Sequence, residues 1–227
     1  WRELYEPFGV IPYPMGSTGV QMGGWFNKKI NSMEDIQGLK MRIPGLGGKV
    51  IAKAGGNPIL LSAAEVYTAL ERGTIDATEW VGPLHDKRFG LDRIAKYYYY
   101  PGWHEPGPQM EMIINQKAWD QLSEPLKKIV EASIAKSGLT LSTKNEAENA
   151  RALQQIIDEG KVELVRFPDN VLSNLKKMNL QVLEEEAAKD EGFRKVLKSY
   201  QDFQKLYSSY EAVTNKAYDK SRDIESK

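Results

Sequence analysis

The segment from residue 39 to residue 79 constrains the fold most, because strand and helix signals alternate along it with short connections. Strand-like residues run from Leu39 to Ile43, from Pro58 to Leu61 and from Ile75 to Glu79. A glycine-opened helix lies in the first gap, and a helix that starts with the capping box Ser62-Ala63-Ala64-Glu65 lies in the second. This order predicts a parallel sheet with right-handed crossovers, and therefore an α/β fold.

The remaining strand patterns lie on both sides of this segment, and a mostly helical half follows Asn115. Further strands are predicted at 8–13, 18–27, 97–100, 109–115 and 162–167, the first of them broken by Pro12 and Pro14. Helices are predicted at 117–121, from about 126 to 160 with a break near Gly138, from 168, and once or twice between 192 and 227.

Composition excludes several classes of function. The chain has 227 residues with 41% hydrophobic content, which is enough for a sizeable core. Its 31 basic and 31 acidic residues cancel, so a role in nucleic-acid binding has no electrostatic support. No apolar run approaches the ~18 residues of a membrane-spanning helix. Cysteine is absent, which removes thiolate chemistry and most structural zinc sites, and His85 and His104 are the only imidazoles.

The common catalytic and phosphate-binding motifs are also missing. There is no Gly-x-Ser-x-Gly elbow, no His-Glu-x-x-His and no Walker loop. Gly45-x-Gly47-Gly48 opens a helix after a strand, as phosphate-binding loops do, but it lacks the full dinucleotide fingerprint. A tight strand-to-helix turn that needs glycine is a sufficient explanation.

Arg42 stands at the end of a predicted strand and is followed by Pro44, so it faces the crevice where open α/β sheets bind ligands. A guanidinium at such a place can hold a carboxylate through two parallel hydrogen bonds. The alternative is a surface salt bridge with Glu34 or Asp35, and composition alone favours that alternative.

Several residues that are distant in sequence offer oxygen atoms that could bind a cation. Glu79 could ligate a cation, pair with Arg42 or stay solvated, and Trp80 offers an apolar wall and a backbone carbonyl. Gln21 precedes a Gly-Gly pair, and Glu105 lies in a loop rich in glycine and proline. Donors of this kind suit Na⁺ or Ca²⁺ rather than zinc or copper. Spacing alone does not bring these residues together.

At these residues the chain resembles the solute-binding proteins of tripartite ATP-independent periplasmic (TRAP) transporters, the DctP family. The resemblance covers essentially the whole chain and is carried by residues 38–44, 62–73 and 73–77. The family arginine that clamps a substrate carboxylate falls on Arg42. The resemblance therefore implies a carboxylate ligand.

Residues 19–26, 77–83 and 97–102 resemble a narrower subgroup that binds 2-oxo acids or lactate together with a metal ion. It implies a Na⁺ or Ca²⁺ ion, in contact with the substrate carboxylate, held by Gln21, Glu79, Trp80 (through its carbonyl) and Glu105. Aromatic side chains would exclude water from the ligand. The substrate-binding residues expected on this basis are Arg42, Gln21, Trp80, Glu105, Phe26 and Trp103.

The implied fold is that of a periplasmic binding protein: two α/β lobes with hinge strands and long C-terminal helices. Residues 1–19 would end the first lobe and form a hinge strand, residues 20–108 the second lobe, and residues 109–150 a return to the first. Residues 151–204 would add a strand and helices to the second lobe, and residues 205–227 a C-terminal helix. Full-length relatives carry roughly a hundred residues or more before the equivalent of Trp1, so the signal peptide and the N-terminal part of the first lobe are expected to be missing.

The resemblance implies a binding protein rather than an enzyme. It would capture a small pyruvate- or lactate-like monocarboxylate in the periplasm and deliver it to a membrane permease. A metal-assisted lyase or hydrolase using Glu79 and Glu105 is the alternative from another class, and a ligand-presenting sensor partner is a third. An apolar stripe near the C-terminus either packs on its own domain or covers a partner subunit, as in the dimers of the subgroup. The stripe consists of Phe203, Leu206, Tyr207, Tyr210, Val213 and Ala217.

Overall fold

The computed structural model describes residues 1–222 and residue 224, and its mixed α/β fold confirms the predicted class. Two compact units are present, residues 1–176 and residues 177–227. The strands of the described residues are β1 (Val10–Ser17), β2 (Gly24–Phe26), β3 (Lys40–Arg42), β4 (Asn57–Ile59), β5 (Ala77–Thr78), β6 (Tyr97–Tyr100), β7 (Gln109–Asn115) and β8 (Glu163–Arg166). The α-helices there are α1 (Arg2–Tyr5), α2 (Gly45–Lys53), α3 (Ala63–Glu71), α4 (Pro83–Phe89), α5 (Gln116–Asp120), α6 (Glu124–Glu159), α7 (Asp169–Lys189), α8 (Glu191–Val213) and α9 (Asn215–Arg222).

The main sheet of the described residues has six strands in the order β4-β3-β5-β2-β6-β8. Strand β3 pairs in parallel with β4 and β5, as predicted from the alternation of strands and helices. Strand β2 is antiparallel to its neighbours β5 and β6, and β8 is parallel to β6. Because β2 alone runs in the opposite direction, its first residue lies at the edge where β3, β5 and β6 end.

A cluster of fully buried side chains holds the helices against this sheet. The indole of Trp25 stacks on the ring of Tyr98, with centroids 3.8 Å apart, and α3 contributes Val66 and Leu70. Each large apolar side chain buried in this way stabilises the fold by about 1.5–3 kcal/mol before conformational entropy is counted. The strand ends that carry the polar residues are thereby held on a rigid base.

Strand β1 differs from its prediction because it runs from Val10 to Ser17 without a break. Pro12 and Pro14 both lie inside it, opposite Ile113 and Glu111 of β7. In the described residues β1 pairs with β7 only, so each proline can direct its missing N–H away from the ladder. The strand predicted at 18–27 is also wrong in extent, since only β2 is extended there.

Helix α6 is continuous over 36 residues, so the predicted break near Gly138 is wrong. A Cβ atom added to Gly138 would lie 3.0 Å from the carbonyl carbon of Met15 and 3.1 Å from the backbone nitrogen of Gly16. The glycine therefore allows close approach of the end of β1 to the helix, and it does not interrupt the helix.

Polar side chains on one stripe of α6 bind the end of β1 and the residue after it. Asn145 donates to the carbonyl of Ser17 at 3.2 Å, and Asn149 donates to the carbonyl of Thr18 at 2.8 Å. The side-chain oxygen of Asn149 also accepts from the backbone N–H of Leu84 in α4, at 3.0 Å. One amide thus joins the end of β1 to the first turn of α4.

Within the described residues the C-terminal unit contains the end of α7 followed by α8 and α9, and the last two agree with the one or two helices predicted between 192 and 227. Asp190 caps α8 by accepting from the backbone N–H of Phe193 at 2.6 Å. The predicted apolar stripe lies mostly on α8 and is exposed, with Leu206 at 70% and Val213 at 74% of full accessibility. Residues 223 and 225–227 of the predicted segment lie outside the described residues. None of the described helices is long and apolar enough to cross a membrane.

Candidate ligand and cation site

The polar residues singled out from the sequence lie at one edge of the six-stranded sheet. Arg42 is the last residue of β3, and Glu79 and Trp80 follow β5 directly. Gln21 precedes β2, and the loop of Glu105 follows β6. The single antiparallel strand places the start of β2 beside three strand ends, and so brings together residues that are up to 84 positions apart in the chain.

Arg42 and Glu79 form a buried ion pair at this edge. Nη1 of Arg42 contacts Oε1 of Glu79 and also donates to the Glu79 backbone carbonyl at 3.3 Å. The side chains are only 13% and 5% exposed. The guanidinium carbon also lies 5.3 Å from the ring centroid of Trp80, within the range of a cation–π contact.

The surface salt bridge that composition favoured for Arg42 is therefore wrong. Asp35 instead accepts from the backbone N–H groups of Asn31 and Ser32, at 2.8 and 3.1 Å, where it completes a capping box. The parallel register explains the alternative pairing: Arg42 stands opposite Thr78, and the backbone N–H of Glu79 donates to the Arg42 carbonyl at 3.2 Å.

His104 lies at this candidate site beside Glu79, and sequence reasoning missed it. Its Nε2 lies 3.5 Å from Oε2 of Glu79, and its side chain is 4% exposed. Neither ring nitrogen of His104 has a hydrogen-bond partner within the described part of the chain. A lone histidine carries little signal by itself, and its place between Trp103 and Glu105 in the loop after β6 is the one feature that could have drawn attention to it.

Gln21 is buried, with its side-chain oxygen free of hydrogen bonds to the described residues. Close backbone packing fixes its segment: Met22 donates to the Val81 carbonyl at 3.3 Å, and a Cβ atom on Gly102 would overlap the Gln21 carbonyl. Gly24 has a φ of +117°, and a Cβ atom there would lie 2.6 Å from the Thr78 carbonyl oxygen. The close approach predicted at the glycine pair is thus a contact between backbone segments. The side-chain oxygen of Gln21, just before this pair, is the unpaired acceptor at the sheet edge.

Glu105 lies half-buried in the loop that carries His104. Among the described residues no three carboxylate or imidazole groups are gathered into a metal-binding cluster. The oxygen donors predicted from the resemblance therefore share an edge of the sheet without forming a closed cage. Their chemistry nevertheless fits a hard cation, because they comprise two carboxylates, an unpaired amide oxygen and a backbone carbonyl.

Phe26 and Trp103 face the apolar core, and Trp103 also packs edge-on against His104, with ring centroids 5.5 Å apart. With Met41 they line a small cavity of about 10 Å³. Phe26 also packs edge-on against Tyr99 and Phe167, with centroids 4.8 and 5.8 Å apart. Of the three aromatic residues predicted to line the ligand, Trp80 is the one in contact with Arg42.

Asp86, in α4, fixes the turn that follows Trp80. Its Oδ1 accepts from the backbone N–H of Val81 at 3.0 Å. Its Oδ2 accepts from the indole N–H of Trp25 at 2.9 Å and from the hydroxyl of Tyr98 at 2.7 Å. One buried carboxylate thus ties the turn to the stacked aromatic pair of the core.

Burial raises the pKa of Asp86 to about 6. The hydrogen bonds from Tyr98, Trp25 and Val81 stabilise the charged form and oppose this rise, while the nearby charge of Glu79 adds to it. Burial and the Asp86 charge in turn raise the pKa of Tyr98 well above its usual value.

A cavity of about 630 Å³ lies elsewhere, lined by Tyr13, Trp119 and residues around them. Volume alone does not identify a binding site. The buried side-chain atoms of the described residues that lack hydrogen-bond partners belong to other residues, and none of those residues lines this cavity. Arg42, Gln21 and His104 are among them, so the unpaired polar groups favour the sheet edge.

Comparison with known proteins identifies the family of the chain. The family described as bacterial extracellular solute-binding protein, family 7, matches residues 6–190. The monocarboxylate 2-oxoacid-binding periplasmic protein of Nostoc sp. is 40% identical over 218 residues, which cover 96% of this chain and 60% of the relative. The chain therefore spans about 60% of the length of that relative.

Two solved structures are also similar, and both are periplasmic solute-binding proteins of TRAP transporters. The protein from Colwellia psychrerythraea, with bound calcium and pyruvate, matches with a TM-score of 0.92 and 40% identity over 97% of this chain and 67% of that chain. The protein from Pseudoalteromonas atlantica, with bound sodium and pyruvate, matches with a TM-score of 0.91 and 42% identity over 99% of this chain and 68% of that chain.

These matches confirm the family expected from the sequence and give no support to the metal-assisted enzyme. The family match covers far more than half of the chain, and the sheet edge that carries Arg42 and Glu79 lies inside it. The chain belongs to the bacterial extracellular solute-binding proteins of family 7.

Proposed function

We propose that this chain is the solute-binding component of a TRAP transporter and captures a small 2-oxo or 2-hydroxy monocarboxylate together with Na⁺ or Ca²⁺. The observation that carries the proposal is the buried guanidinium of Arg42, which contacts Glu79 at the sheet edge where Gln21 keeps an unpaired side-chain oxygen. Similar proteins with bound pyruvate and calcium or sodium support the choice of ligand.

Arg42 binds the ligand carboxylate through two parallel N–H donors in this proposal. Gln21, Glu79, the Trp80 carbonyl and Glu105 hold the cation, whose charge compensates the glutamates and lets an acidic sheet edge accept an anion. The indole of Trp80 excludes water and limits the size of the ligand. Phe26 and Trp103 support this wall from the core, and His104 orients Glu79 from its second oxygen.

The partners follow from the family and from the exposed stripe on α8. We place the protein in the periplasm, where it delivers its ligand to the membrane permease subunits. Lobe assignments stay as predicted: residues 1–19 and 109–150 in the first lobe, and residues 20–108 and 151–204 in the second, which close on the ligand by a hinge motion. The apolar stripe from Phe203 to Ala217 begins just before the predicted C-terminal segment 205–227. It forms a dimer contact with a second copy of the chain.

Titration calorimetry with pyruvate tests the proposal. Binding is expected in buffer that contains calcium, and strong weakening is expected in chelated, sodium-free buffer. Acetone, which keeps the ketone and lacks the carboxylate, should not bind. Arg42→Ala should cost on the order of 2–5 kcal/mol of binding free energy, because it removes a desolvated charge partner. Pyruvate binding that is independent of both Arg42 and the cations would contradict the proposal.

A further inference from the structure

Asp86 contacts one peptide group of the turn that carries a proposed cation ligand. Its Oδ1 accepts from the backbone N–H of Val81 at 3.0 Å. That N–H and the carbonyl of Trp80 belong to the same peptide bond, which is trans. In a planar trans peptide the N–H and the C=O point in opposite directions. The hydrogen bond to Asp86 therefore sets the direction of the Trp80 carbonyl, which points away from the buried carboxylate.

The carboxylate of Asp86 is itself held in place by the sheet. Its Oδ2 accepts from the indole N–H of Trp25 at 2.9 Å and from the hydroxyl of Tyr98 at 2.7 Å. Trp25 and Tyr98 stand opposite each other on β2 and β6, and their rings stack. Asp86 is 1% exposed, so water does not compete for its oxygens. The Val81 N–H is thus bound by an acceptor whose position the core fixes.

The Trp80 carbonyl differs in its hydrogen bonding from the carbonyls before and after it. The Glu79 carbonyl accepts from the hydroxyl of Thr78 at 2.8 Å. The Val81 carbonyl accepts from the backbone N–H of Met22 at 3.3 Å. Within the described residues, no hydrogen bond to the carbonyl oxygen of Trp80 is present. Of these three successive carbonyls, the one aimed by Asp86 is the one whose oxygen is available to a ligand.

We infer that Asp86 is a positioning residue of the cation site, which aims the Trp80 carbonyl and strengthens it as a ligand. The inference rests on the proposed function, in which this carbonyl is one of the cation ligands. A carboxylate that accepts from an N–H polarises the peptide group, and this polarisation increases the negative charge on the carbonyl oxygen. Groups that orient metal ligands from behind typically contribute about 10- to 100-fold to metal affinity.

Asp86→Asn tests the inference, because an amide has one acceptor oxygen where the carboxylate has two. Calorimetric titration of calcium into protein with excess pyruvate, in sodium-free buffer at pH 8, gives the calcium concentration for half-saturation. At this pH the carboxyl of Asp86, with a pKa of about 6, is charged in the wild type. We expect the half-saturating calcium concentration to rise about 10- to 100-fold in the variant.

Asp92→Asn is the matched control. Asp92 is also a buried carboxylate, 5% exposed, and its side chain pairs with Lys87 at 3.4 Å rather than with the turn after Trp80. An unchanged calcium requirement in Asp86→Asn, or an equal rise in Asp92→Asn, would overturn the inference. Calcium-dependent pyruvate binding by the wild type would then leave the proposed function intact. Absence of pyruvate binding by the wild type in calcium buffer would overturn both.

A second measurement uses the wild type and does not depend on the folding of a variant. In NMR spectra the amide nitrogen of Val81 reports on the Trp80 carbonyl, because both belong to one peptide group. Its resonance should shift when calcium is added in the presence of pyruvate. The Val81 amide proton should stay far downfield throughout, as expected for an N–H that donates to a carboxylate.

Two outcomes of the NMR measurement would overturn the inference. An amide nitrogen of Val81 that does not move, while calorimetry shows calcium-dependent pyruvate binding, would mean that the cation does not engage the Trp80 carbonyl. An amide proton of Val81 that moves upfield on addition of calcium would mean that Asp86 releases the N–H when the cation binds.

Discussion

Asp86 is a buried side chain that supports the candidate binding edge without lining it. It accepts hydrogen bonds from Trp25, Tyr98 and the backbone of Val81, and so connects the core to the turn after Trp80. The arrangement has a cost, because burial of the carboxylate raises its pKa to about 6. The charged form is therefore held at neutral pH against an unfavourable desolvation free energy.

The pKa of Asp86 predicts a specific dependence of stability on pH. Since the folded-state pKa lies above the usual 3.8, the folded state binds more protons between pH 4 and 6, and stability from this group falls as pH rises through that range. Between pH 4 and 7 the loss should be about 2 kcal/mol. The free energy of unfolding of Asp86→Asn, relative to wild type, should rise by this amount from pH 4 to 7.

Urea unfolding at several pH values measures this difference. Tyr98→Phe is an informative companion, because it removes a hydrogen bond that lowers the pKa of Asp86. The midpoint of the pH dependence should then move above 6. A stability difference between Asp86→Asn and wild type that stays constant from pH 4 to 7 would contradict the assignment.

The partner of Arg42 illustrates the limit of sequence reasoning at this scale. The sequence indicated a guanidinium at a strand end, and three roles for Glu79, but 37 positions separate the two residues. Their contact depends on the parallel register of β3 and β5, which pairs Arg42 with Thr78. Local spacing carries no information on that register, so the resemblance, and then the structure, had to supply it.

At the scale of elements, the sequence predicted correctly those features that depend on neighbouring residues of the chain. The capping box at Ser62 is present as expected, because it depends on residues three positions apart. The interruptions at Pro12, Pro14 and Gly138 were wrong, because in each case a tertiary partner decides whether the residue is tolerated. The prolines require an unpaired strand edge, and the glycine requires a neighbouring backbone.

Helix α6 offers a test of this explanation for Gly138. Glycine to alanine inside a helix ordinarily stabilises by about 1 kcal/mol. Here we expect Gly138→Ala to destabilise by about 1–3 kcal/mol, because the new methyl group would press on the backbone of Met15 and Gly16. Urea unfolding measures the sign directly.

Ser133→Ala is the control on the same helix, since Ser133 is exposed. Its effect should stay within about 0.5 kcal/mol. If Gly138→Ala were neutral or stabilising, the close approach of β1 to α6 would not be the reason for glycine at this position.

At the scale of the whole molecule, the apolar stripe on α8 is the feature that calls for a partner. Phe203, Leu206, Tyr210 and Val213 are all at least 60% exposed. Contiguous exposed apolar surface of this kind usually marks an interaction site. The family resemblance implies a second copy of the chain as the partner, whereas the sequence pattern alone favoured packing of the stripe on its own domain.

Sedimentation velocity should therefore show a dimer for the wild type at micromolar concentration. The double variant Phe203→Glu, Tyr210→Glu should sediment as a monomer, because two carboxylates would be buried without partners in the contact. Lys205→Glu together with Lys198→Glu, on the charged part of the same helix, is the control for added negative charge. A monomeric wild type would contradict the dimer.

The central claim is that the edge formed by Arg42 and Glu79 binds a monocarboxylate with a cation, and a crystal structure grown with pyruvate and calcium tests it most directly. We predict that the pyruvate carboxylate contacts the guanidinium of Arg42. We also predict an anomalous signal from a calcium ion that is bound to a carboxylate oxygen of Glu79. Pyruvate in the cavity beside Tyr13 and Trp119, with the Arg42–Glu79 ion pair intact, would contradict the account.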